Sequence, residues 1–170
     1  MEQIKKLIKS TDAIFWFLIV FFIVSLIIVP GFSKTSTIKS VLSQSCVLMT
    51  LACGVHLTVL NGGVDFTSAA LLALTSVIGG SIVSTNGPFG GSAAGIILGL
   101  VVMMAIATGF GALNGFSIVN FKMPSFIVTM ATQMIANGLA VVYTGGMTVT
   151  GIPDALCHFG SGGFGIIPYT

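Results

Sequence analysis

A single carboxylate, Asp65, stands between two long apolar runs in the segment "LNGGVDFTSAALLAL". Turn-forming residues precede it, namely Asn61, Gly62 and Gly63, and the next acidic residue is Asp154. At the start of a helix, a carboxylate accepts hydrogen bonds from N–H groups that lack a partner, and it suits the positive end of the helix dipole. We therefore predict a helix cap in a tight turn. The alternative is a helix break beside a cavity within a membrane, as in transporters.

A polar stripe runs along the last long apolar segment. Its members recur at helical spacing, close to one face, and they are Ser125, Thr129, Thr132, Gln133, Asn137 and Thr144. Amide side chains that faced lipid would lose hydrogen bonds, so Gln133 and Asn137 should face protein or water. Two roles stay open for Thr129, Thr132, Gln133 and Asn137. They could line a pathway for a polar solute, or they could form interhelical hydrogen bonds worth about 1 kcal/mol or less each.

The other reactive side chains lack the spacing of an enzyme or a metal site. The two His and three Cys show no CxxC or HExxH pattern, and no nucleophile–base pair stands out. No GxxxxGKS/T or GxGxxG loop is present, so the chain should not bind a nucleotide itself. A net charge of +2 is too small to indicate nucleic-acid binding. We predict no catalysis, no metal and no cofactor, and any ATP would be hydrolysed by another subunit.

The composition indicates that lipid surrounds most of the chain. Of the 170 residues, 55% are hydrophobic and only 6% are charged, against roughly 25% charged in an average soluble domain. The mean hydropathy is +1.10. Because these residues cannot build a polar shell, the expected solvent is a lipid bilayer.

The apolar runs predict an all-α, polytopic transmembrane helical bundle that forms one domain over residues 1–170. About 20 apolar residues cross the hydrocarbon core as a helix. Five stretches meet this measure, separated by turn-forming residues: 13–30, 38–60, 66–85, 93–119 and 126–144. The remaining segment, 145–170, is rich in Gly and Pro and is too polar to span.

The lysines predict a cytoplasmic N-terminus, because basic residues favour the cytoplasmic side. This orientation puts four lysines on the inner face and two in an outer loop: Lys5, Lys6, Lys9 and Lys122 against Lys34 and Lys39. Five crossings then place residues 145–170 outside. The first apolar run exceeds the roughly 7–15 residues of a cleaved signal peptide and no A-x-A site follows, so we expect a retained signal anchor.

Lys122 and Pro124 predict a cytoplasmic turn. Lys122 suits the level of the lipid headgroups, and Pro124 suits the start of a helix.

The fourth apolar stretch contains two pairs of glycines at GxxxG spacing, which lets helix backbones approach closely. The pairs are Gly95 with Gly99, and Gly111 with Gly115. We predict that both pairs mediate helix packing.

Three segments, in order, resemble motifs of one known family. The family signature GGIDLSVGSLLAL is similar to "NGGVDFTSAALLALTSVIGG". The family stretch G-x-x-NG-x-x-V…K-x-PPFIVTLGT…RGLA…TGG is similar to "ALNGFSIVNFKMPSFIVTMATQMIANGLAVVYTGG". The family's extracytoplasmic segment resembles "GIPDALCHFGSGGFGIIP". From about Leu60 to Pro168 the chain thus resembles the ribose-type (simple sugar) permeases of ABC importers.

This resemblance implies a bacterial inner-membrane protein that works as a pair of permease chains. Two cytoplasmic ABC ATPase subunits would drive the pair, and a periplasmic sugar-binding protein would deliver a ribose-like monosaccharide. The chain would then contribute to the translocation pathway. Residues 150–168 would face the periplasm, where the binding protein docks, which agrees with the side expected from the lysines.

The sequence differs from the family pattern in three respects. Members of the family are about twice as long, so this chain resembles the N-terminal half only and lacks the segment that engages the ATPase. DLSVG becomes "DFTSA", and the Arg before Gly-Leu-Ala becomes Asn137. The chain is either a fragment of a longer product or needs a complementary chain. The alternatives are a non-transporting remnant or assembly partner of a full-length permease and, less favoured, a self-contained channel or secondary carrier.

Overall fold

The computed structural model describes residues 13–89, 91–161, 163–164 and 167–168. These residues form six helices and one pair of two-residue strands. The helices are α1 (Ala13–Ile28), α2 (Thr35–Leu60), α3 (Thr67–Val83), α4 (Ala93–Phe121), α5 (Ser125–Thr144) and α6 (Asp154–Ser161). The strands β1 (Gly163–Phe164) and β2 (Ile167–Pro168) pair antiparallel, with Gly163 opposite Pro168.

Helices α1 to α5 fall on the five apolar stretches, and their ends differ from the expected ones by a few residues. The helix α2 begins at Thr35 rather than at residue 38, and α4 continues to Phe121 rather than 119. Local chemistry explains several ends. The Ser92 side chain accepts a hydrogen bond from the Gly95 amide at the start of α4, and Gly145 ends α5 in the left-handed conformation, with φ of 61°. The number of membrane crossings stays a prediction.

The outer surface of these helices is apolar. Among the described residues, α2, α4 and α5 are long and apolar enough to cross a membrane, whereas α1 and α3 are shorter apolar helices. Met104 on α4 and Val142 on α5 are 71% and 80% exposed. Water would disfavour so large an apolar surface, while lipid tails match it. The chain is therefore an all-α helical membrane protein, as its composition predicts.

The core is a three-helix unit in which α3 packs between α4 and α5. Small and branched side chains fill its centre: Ala70 and Leu74 of α3 meet Ala136 and Ala140 of α5. Helix α2 makes few contacts with α3, and no residue of α2 is buried. Because successive helices run antiparallel, the starts of α3 and α5 share one end of the bundle with the ends of α2 and α4. We call this end the Asp65 end.

The close approach of α3 and α4 depends on glycine. A Cβ built on Gly99 would lie 2.5 Å from Val83 Cγ2 at the end of α3, and one built on Gly95 would lie 2.6 Å from Phe89 Cβ in the loop before α4. Both distances are shorter than Cβ contacts allow, so glycine lets α4 approach α3 at Gly99 and the preceding loop at Gly95. Of the first predicted GxxxG pair, Gly99 thus lies at a tight helix contact.

The opposite end of the bundle is closed by the segment after α5. The Thr85 amide donates to Gly151 O at 2.7 Å, and the Ser84 hydroxyl donates to Thr150 O at 2.7 Å. These two contacts fix the start of the segment 145–170 against the end of α3. At the same end, the hydroxyl oxygens of Ser81 on α3 and Tyr143 on α5 are 2.6 Å apart and share a hydrogen bond.

Candidate functional site

The turn before Asp65 forms because a glycine allows the backbone to change direction after α2. The Asn61 and Gly63 amides donate to Thr58 O at 3.1 and 3.0 Å, which satisfies a carbonyl at the end of α2. Gly62 has φ of 76°, a conformation that residues with a side chain rarely adopt. Asn61, Gly62 and Gly63 thus end one helix and direct the chain toward the next.

Asp65 lies at the start of α3 with the geometry of a cap. Its Oδ1 accepts a hydrogen bond from the Thr67 amide at 2.7 Å, and its Oδ2 accepts one from the Ser68 hydroxyl at 2.6 Å. Phe66, between them, already has helical dihedral angles. A carboxylate that accepts a hydrogen bond from the amide of the first residue of a helix stabilises that helix end.

The same turn is attached to the start of α5. The Val64 amide donates to Ser125 Oγ at 3.0 Å, and the Thr129 hydroxyl lies 3.1 Å from Val64 O. Thr129 is only 3% exposed. Two members of the polar stripe, Ser125 and Thr129, therefore satisfy the backbone of the turn between α2 and α3.

Asn114 connects the three core helices, although it is not among the predicted site residues. It is 8% exposed on α4. Its Nδ2 donates to Thr67 Oγ1 on α3 at 2.9 Å, and its Oδ1 accepts from Thr132 Oγ1 on α5 at 2.6 Å. Two sequence signals point to it: the NG of the family stretch G-x-x-NG falls on Asn114, and an amide within a long apolar helix must find hydrogen-bond partners.

The polar stripe divides into two parts. Thr129 and Thr132 belong to a hydrogen-bonded cluster that also contains Thr67 and Asn114. Gln133, in contrast, is half-buried, and Asn137 is exposed. The side chains of Gln133 and Asn137 make no hydrogen bond with other described residues. Helical rotation accounts for the division, because α5 presents Ala136 and Ala140 to α3 and carries Gln133 and Asn137 to the flank of that contact.

A cavity of about 250 Å³ opens beside this cluster, and we call it the Asp65 cavity. Elements from all sides contribute to it: the end of α2, the turn, and helices α3, α4 and α5. Its polar lining residues are Thr58, Asp65, Thr67, Asn114 and Thr129, and the others are Val64, Leu71, Gly111, Gly115 and Ile118. The cluster and the cavity together form the candidate site.

The second GxxxG pair borders this cavity rather than a helix contact. A Cβ built on Gly111 or on Gly115 would meet no described atom within 4 Å. Within the described chain these two glycines therefore do not bring helices together, unlike Gly99. The reason is that α4 contacts α3 closely along its first half, and near Gly111 and Gly115 the helices leave an open space.

The turn between α4 and α5 lies at the same end of the bundle. Lys122 ends α4 with φ of 52°, and it is the one non-glycine residue of positive φ among those described. Pro124 directly precedes the first residue of α5 in an extended conformation, which suits its fixed φ. Lys122 and Pro124 thus shape a tight turn next to Ser125.

A second cavity lies at the opposite end and has a different character. It measures about 440 Å³ and is lined mainly by apolar and small residues of α3, α5 and the segment 146–152. Thr144, a member of the polar stripe, borders it. Asp65 and Asn114 do not line this cavity.

The chain is similar to ribose permeases along most of its length. The ribose import permease protein RbsC of Haemophilus influenzae is 32% identical over 139 residues, which are 81% of this chain and 41% of that protein. RbsC of Bacillus subtilis is 34% identical over 136 residues, which are 79% of this chain and 40% of that protein. The fructose import permease protein FruG of Bifidobacterium longum is 32% identical over 105 residues, 62% of this chain and 29% of that protein.

The chain spans about two fifths of the length of the ribose permeases that it matches. No family model matches the sequence. No solved structure matches it either. The resemblance carried by the three sequence motifs is nevertheless confirmed by these alignments: the chain is homologous to the ribose-type permeases of sugar ABC importers.

Proposed function

We propose that this chain forms part of the translocation pathway of a binding-protein-dependent ABC importer for a ribose-like monosaccharide. The observation that carries the proposal is the 32% identity to a ribose import permease over 81% of the chain. Two further observations support it. The chain is an apolar helical bundle, and the buried polar residues Thr67, Asn114 and Thr129 lie beside a cavity rather than in a continuous helix contact.

The proposed partners follow from what this sequence lacks and from its relatives. The sequence has no phosphate-binding loop, so a separate cytoplasmic ABC ATPase would supply the energy. A periplasmic sugar-binding protein would deliver the solute to the segment 145–170. A second permease chain, either an identical copy or a complementary half, would complete the pathway.

The proposed location is the bacterial inner membrane, with five crossings and a cytoplasmic N-terminus. One relative of this chain, YjfF of Escherichia coli, is named an inner membrane ABC transporter permease protein. The lysine distribution supports the orientation. In this arrangement the Asp65 end of the bundle faces the cytoplasm, and the contact between Thr85 and Gly151 faces the periplasm.

The residues of the polar stripe on α5 would have two different roles. Thr129 and Thr132 are held in hydrogen bonds with the turn and with Asn114. Gln133 and Asn137 have side-chain groups free to meet a solute or a second chain. We therefore assign the pathway lining to Gln133 and Asn137, and a supporting role to the two threonines.

A chimeric permease tests the proposal. The chain replaces the matching segment of the Haemophilus ribose permease, and the chimera is expressed with the ATPase and binding protein of that importer in a strain that lacks ribose uptake. We expect ATP-dependent uptake of radiolabelled D-ribose well above that of the strain without a permease. An ATPase variant with its phosphate-binding lysine replaced serves as the control and should abolish uptake.

The amount of chimera in the membrane separates the possible failures. If the chimera accumulates like the parent permease but imports no ribose, the proposed function is wrong, and an assembly role without transport is favoured. If this chain by itself, without the ATPase, supports uptake driven by a proton or sodium gradient, the carrier alternative replaces the proposal.

A further inference from the structure

The Asp65 cavity has hydrogen-bonding groups that the fold leaves unused. A carboxylate offers about four acceptor positions on its two oxygens. Asp65 uses one on each oxygen, for the Thr67 amide and the Ser68 hydroxyl. It therefore keeps acceptor capacity on both oxygens while it lines the cavity.

Asn114 contributes the complementary capacity. Its amide nitrogen carries two hydrogens, and the bond to Thr67 Oγ1 uses one of them. The second hydrogen has no partner among the described residues, and Asn114 lines the same cavity as Asp65. The cavity thus presents unused acceptors from the turn before α3 and an unused donor from α4.

A hydroxyl-rich solute matches this combination better than a cation does. Each sugar hydroxyl can donate one hydrogen bond and accept others, so neighbouring hydroxyls can donate to Asp65 and accept from Asn114. A metal cation would bind only to the oxygen atoms of the cavity, and the positive end of the Asn114 N–H dipole would repel it. Among the described residues no group of three or more His, Cys, Asp or Glu could hold a metal ion.

The size and the walls of the cavity also suit a monosaccharide. Its volume of about 250 Å³ lies just below the roughly 300–1,000 Å³ of pockets for drug-sized ligands. Leu71 and Ile118 provide apolar wall on which the C–H groups of a sugar ring can pack. Gly111 and Gly115 keep one wall clear, since neither has a side chain to occupy the space.

We propose that the Asp65 cavity is a sugar subsite, in which Asp65 and Asn114 bind neighbouring hydroxyl groups of the transported monosaccharide. This inference rests on the proposed function, because the bound sugar is a transported solute only if the chain is part of a sugar importer. In the proposed orientation the cavity lies toward the cytoplasmic face, so the sugar would occupy it late in import.

Filling the cavity tests the subsite without disturbing the packed core. In the chimera, Gly111→Leu and Gly115→Leu place side chains at the clear wall, and the Cβ of each meets no described atom within 4 Å. Leucine also favours a helix more than glycine does. The matched control is Gly109→Leu on the same helix, where a Cβ meets nothing within 4 Å and the residue does not line the cavity.

We expect the two cavity variants to reduce the maximal rate of D-ribose uptake by about tenfold or more, whereas the Gly109 variant stays within about twofold of the parent chimera. Membrane abundance is measured for each. Unchanged uptake in both cavity variants would overturn the subsite. An equal loss in the Gly109 variant would also overturn it, because the effect would then belong to the helix rather than to the cavity.

Removing the charge tests the same site without adding volume. Asp65→Asn retains an oxygen for the Thr67 amide but loses carboxylate acceptors, and we expect the maximal rate of D-ribose uptake to fall about tenfold. Thr75→Ala is the control and should stay within about twofold of the parent, because Thr75 donates to Leu71 O within its own helix and does not line the cavity. A maximal rate in Asp65→Asn equal to that of the parent would contradict the assignment.

A direct measurement of ribose binding tests the subsite independently of the proposed transport function. Saturation-transfer NMR on the purified full chain in lipid nanodiscs should show transfer to D-ribose, less transfer to cyclohexanol, and loss of the ribose signal in Gly111→Leu. If the chimera imports nothing while this signal and its loss are observed, the subsite stands and the transport proposal falls. If uptake is normal and the ribose signal does not depend on Gly111, the subsite falls alone.

Discussion

Asn114 and Thr67 are 47 residues apart in the sequence, yet Asn114 Nδ2 lies 2.9 Å from Thr67 Oγ1 in the buried core. Thr67 is 1% exposed, so this hydrogen bond lies at the edge of the packed core, beside the Asp65 cavity. Thr67 is also the first residue of α3, whose amide is capped by Asp65. The bond therefore ties the middle of α4 to the capped start of α3, and Thr132 extends the tie to α5.

Replacing Asn114 should destabilise the bundle. Asn114→Leu leaves the Thr67 hydroxyl without its amide donor and Thr132 without one of its two acceptors. We expect a loss of about 1–2 kcal/mol in the free energy of unfolding, measured by circular dichroism during SDS titration in mixed micelles.

Asn120→Leu is the matched control for that experiment. Asn120 is an exposed asparagine on the same helix, and its Nδ2 donates only to Phe116 O within its own helix. The control should change stability by a few tenths of a kcal/mol at most. Equal losses in the two variants would show that the three-helix connection contributes nothing measurable.

Adding one methyl group at Gly99 should separate α3 from α4. A Cβ there would lie 2.5 Å from Val83 Cγ2 and 3.3 Å from Gly79 O, and Val83 is itself buried. We expect Gly99→Ala to cost about 1–3 kcal/mol by the same SDS titration. Gly109→Ala, where the added Cβ meets nothing within 4 Å, should be neutral or stabilising by up to about 1 kcal/mol. The reverse order of the two would refute the proposed helix contact.

Two substitutions of Asp65 should separate capping from charge in their effect on stability. Asp65→Asn keeps an oxygen for the Thr67 amide, so we expect the free energy of unfolding to change by only a few tenths of a kcal/mol. Asp65→Ala removes the acceptor and should cost about 0.5–2 kcal/mol. Thermal unfolding in detergent measures both. If Asn destabilises as much as Ala, the carboxylate charge rather than the cap stabilises the start of α3.

The sequence predicts the helical fold because helices depend on neighbours in the chain, and the signals for the Asp65 turn are equally local. Runs of apolar residues and the Asn61-Gly62-Gly63 turn are local signals. The role of Asn114 is not local, because its partners are 47 and 18 residues away and the rotation of each helix decides which side chains meet. For the same reason spacing alone does not separate Gly95, at a tight contact, from Gly111, beside a cavity.

Lys122 should be replaceable by glycine with a gain in stability. Its φ of 52° places it in the left-handed region, where a residue with a Cβ is strained by roughly 1–2 kcal/mol. Glycine relieves the strain but loses more entropy on folding, so we expect Lys122→Gly to gain up to about 1 kcal/mol and Lys122→Val to lose at least as much. Thermal unfolding of the two variants provides the measurement. A more stable valine variant would show that the turn does not adopt this conformation.

The two ends of α5 should lie on opposite sides of the membrane. The helix has 20 residues, from Ser125 to Thr144, and at 1.5 Å per residue this length matches a hydrocarbon core of about 30 Å. In a variant whose native cysteines are replaced by serine, a single cysteine at Met147 should react with a membrane-impermeant maleimide in intact spheroplasts. A single cysteine at Lys122 should react only after the membrane is permeabilised.

A cysteine at Asn61 is the internal control for this labelling, because Asn61 lies at the Asp65 end with Lys122 and should behave like it. Labelling of positions 122 and 147 from the same side would show that α5 does not cross. Labelling of 61 and 122 from the outside, with 147 protected, would mean that α5 crosses in the reverse orientation. That result would place the Asp65 cavity toward the periplasm, because the three core helices hold the turn at Val64 and the start of α5 together through Ser125 and Thr129.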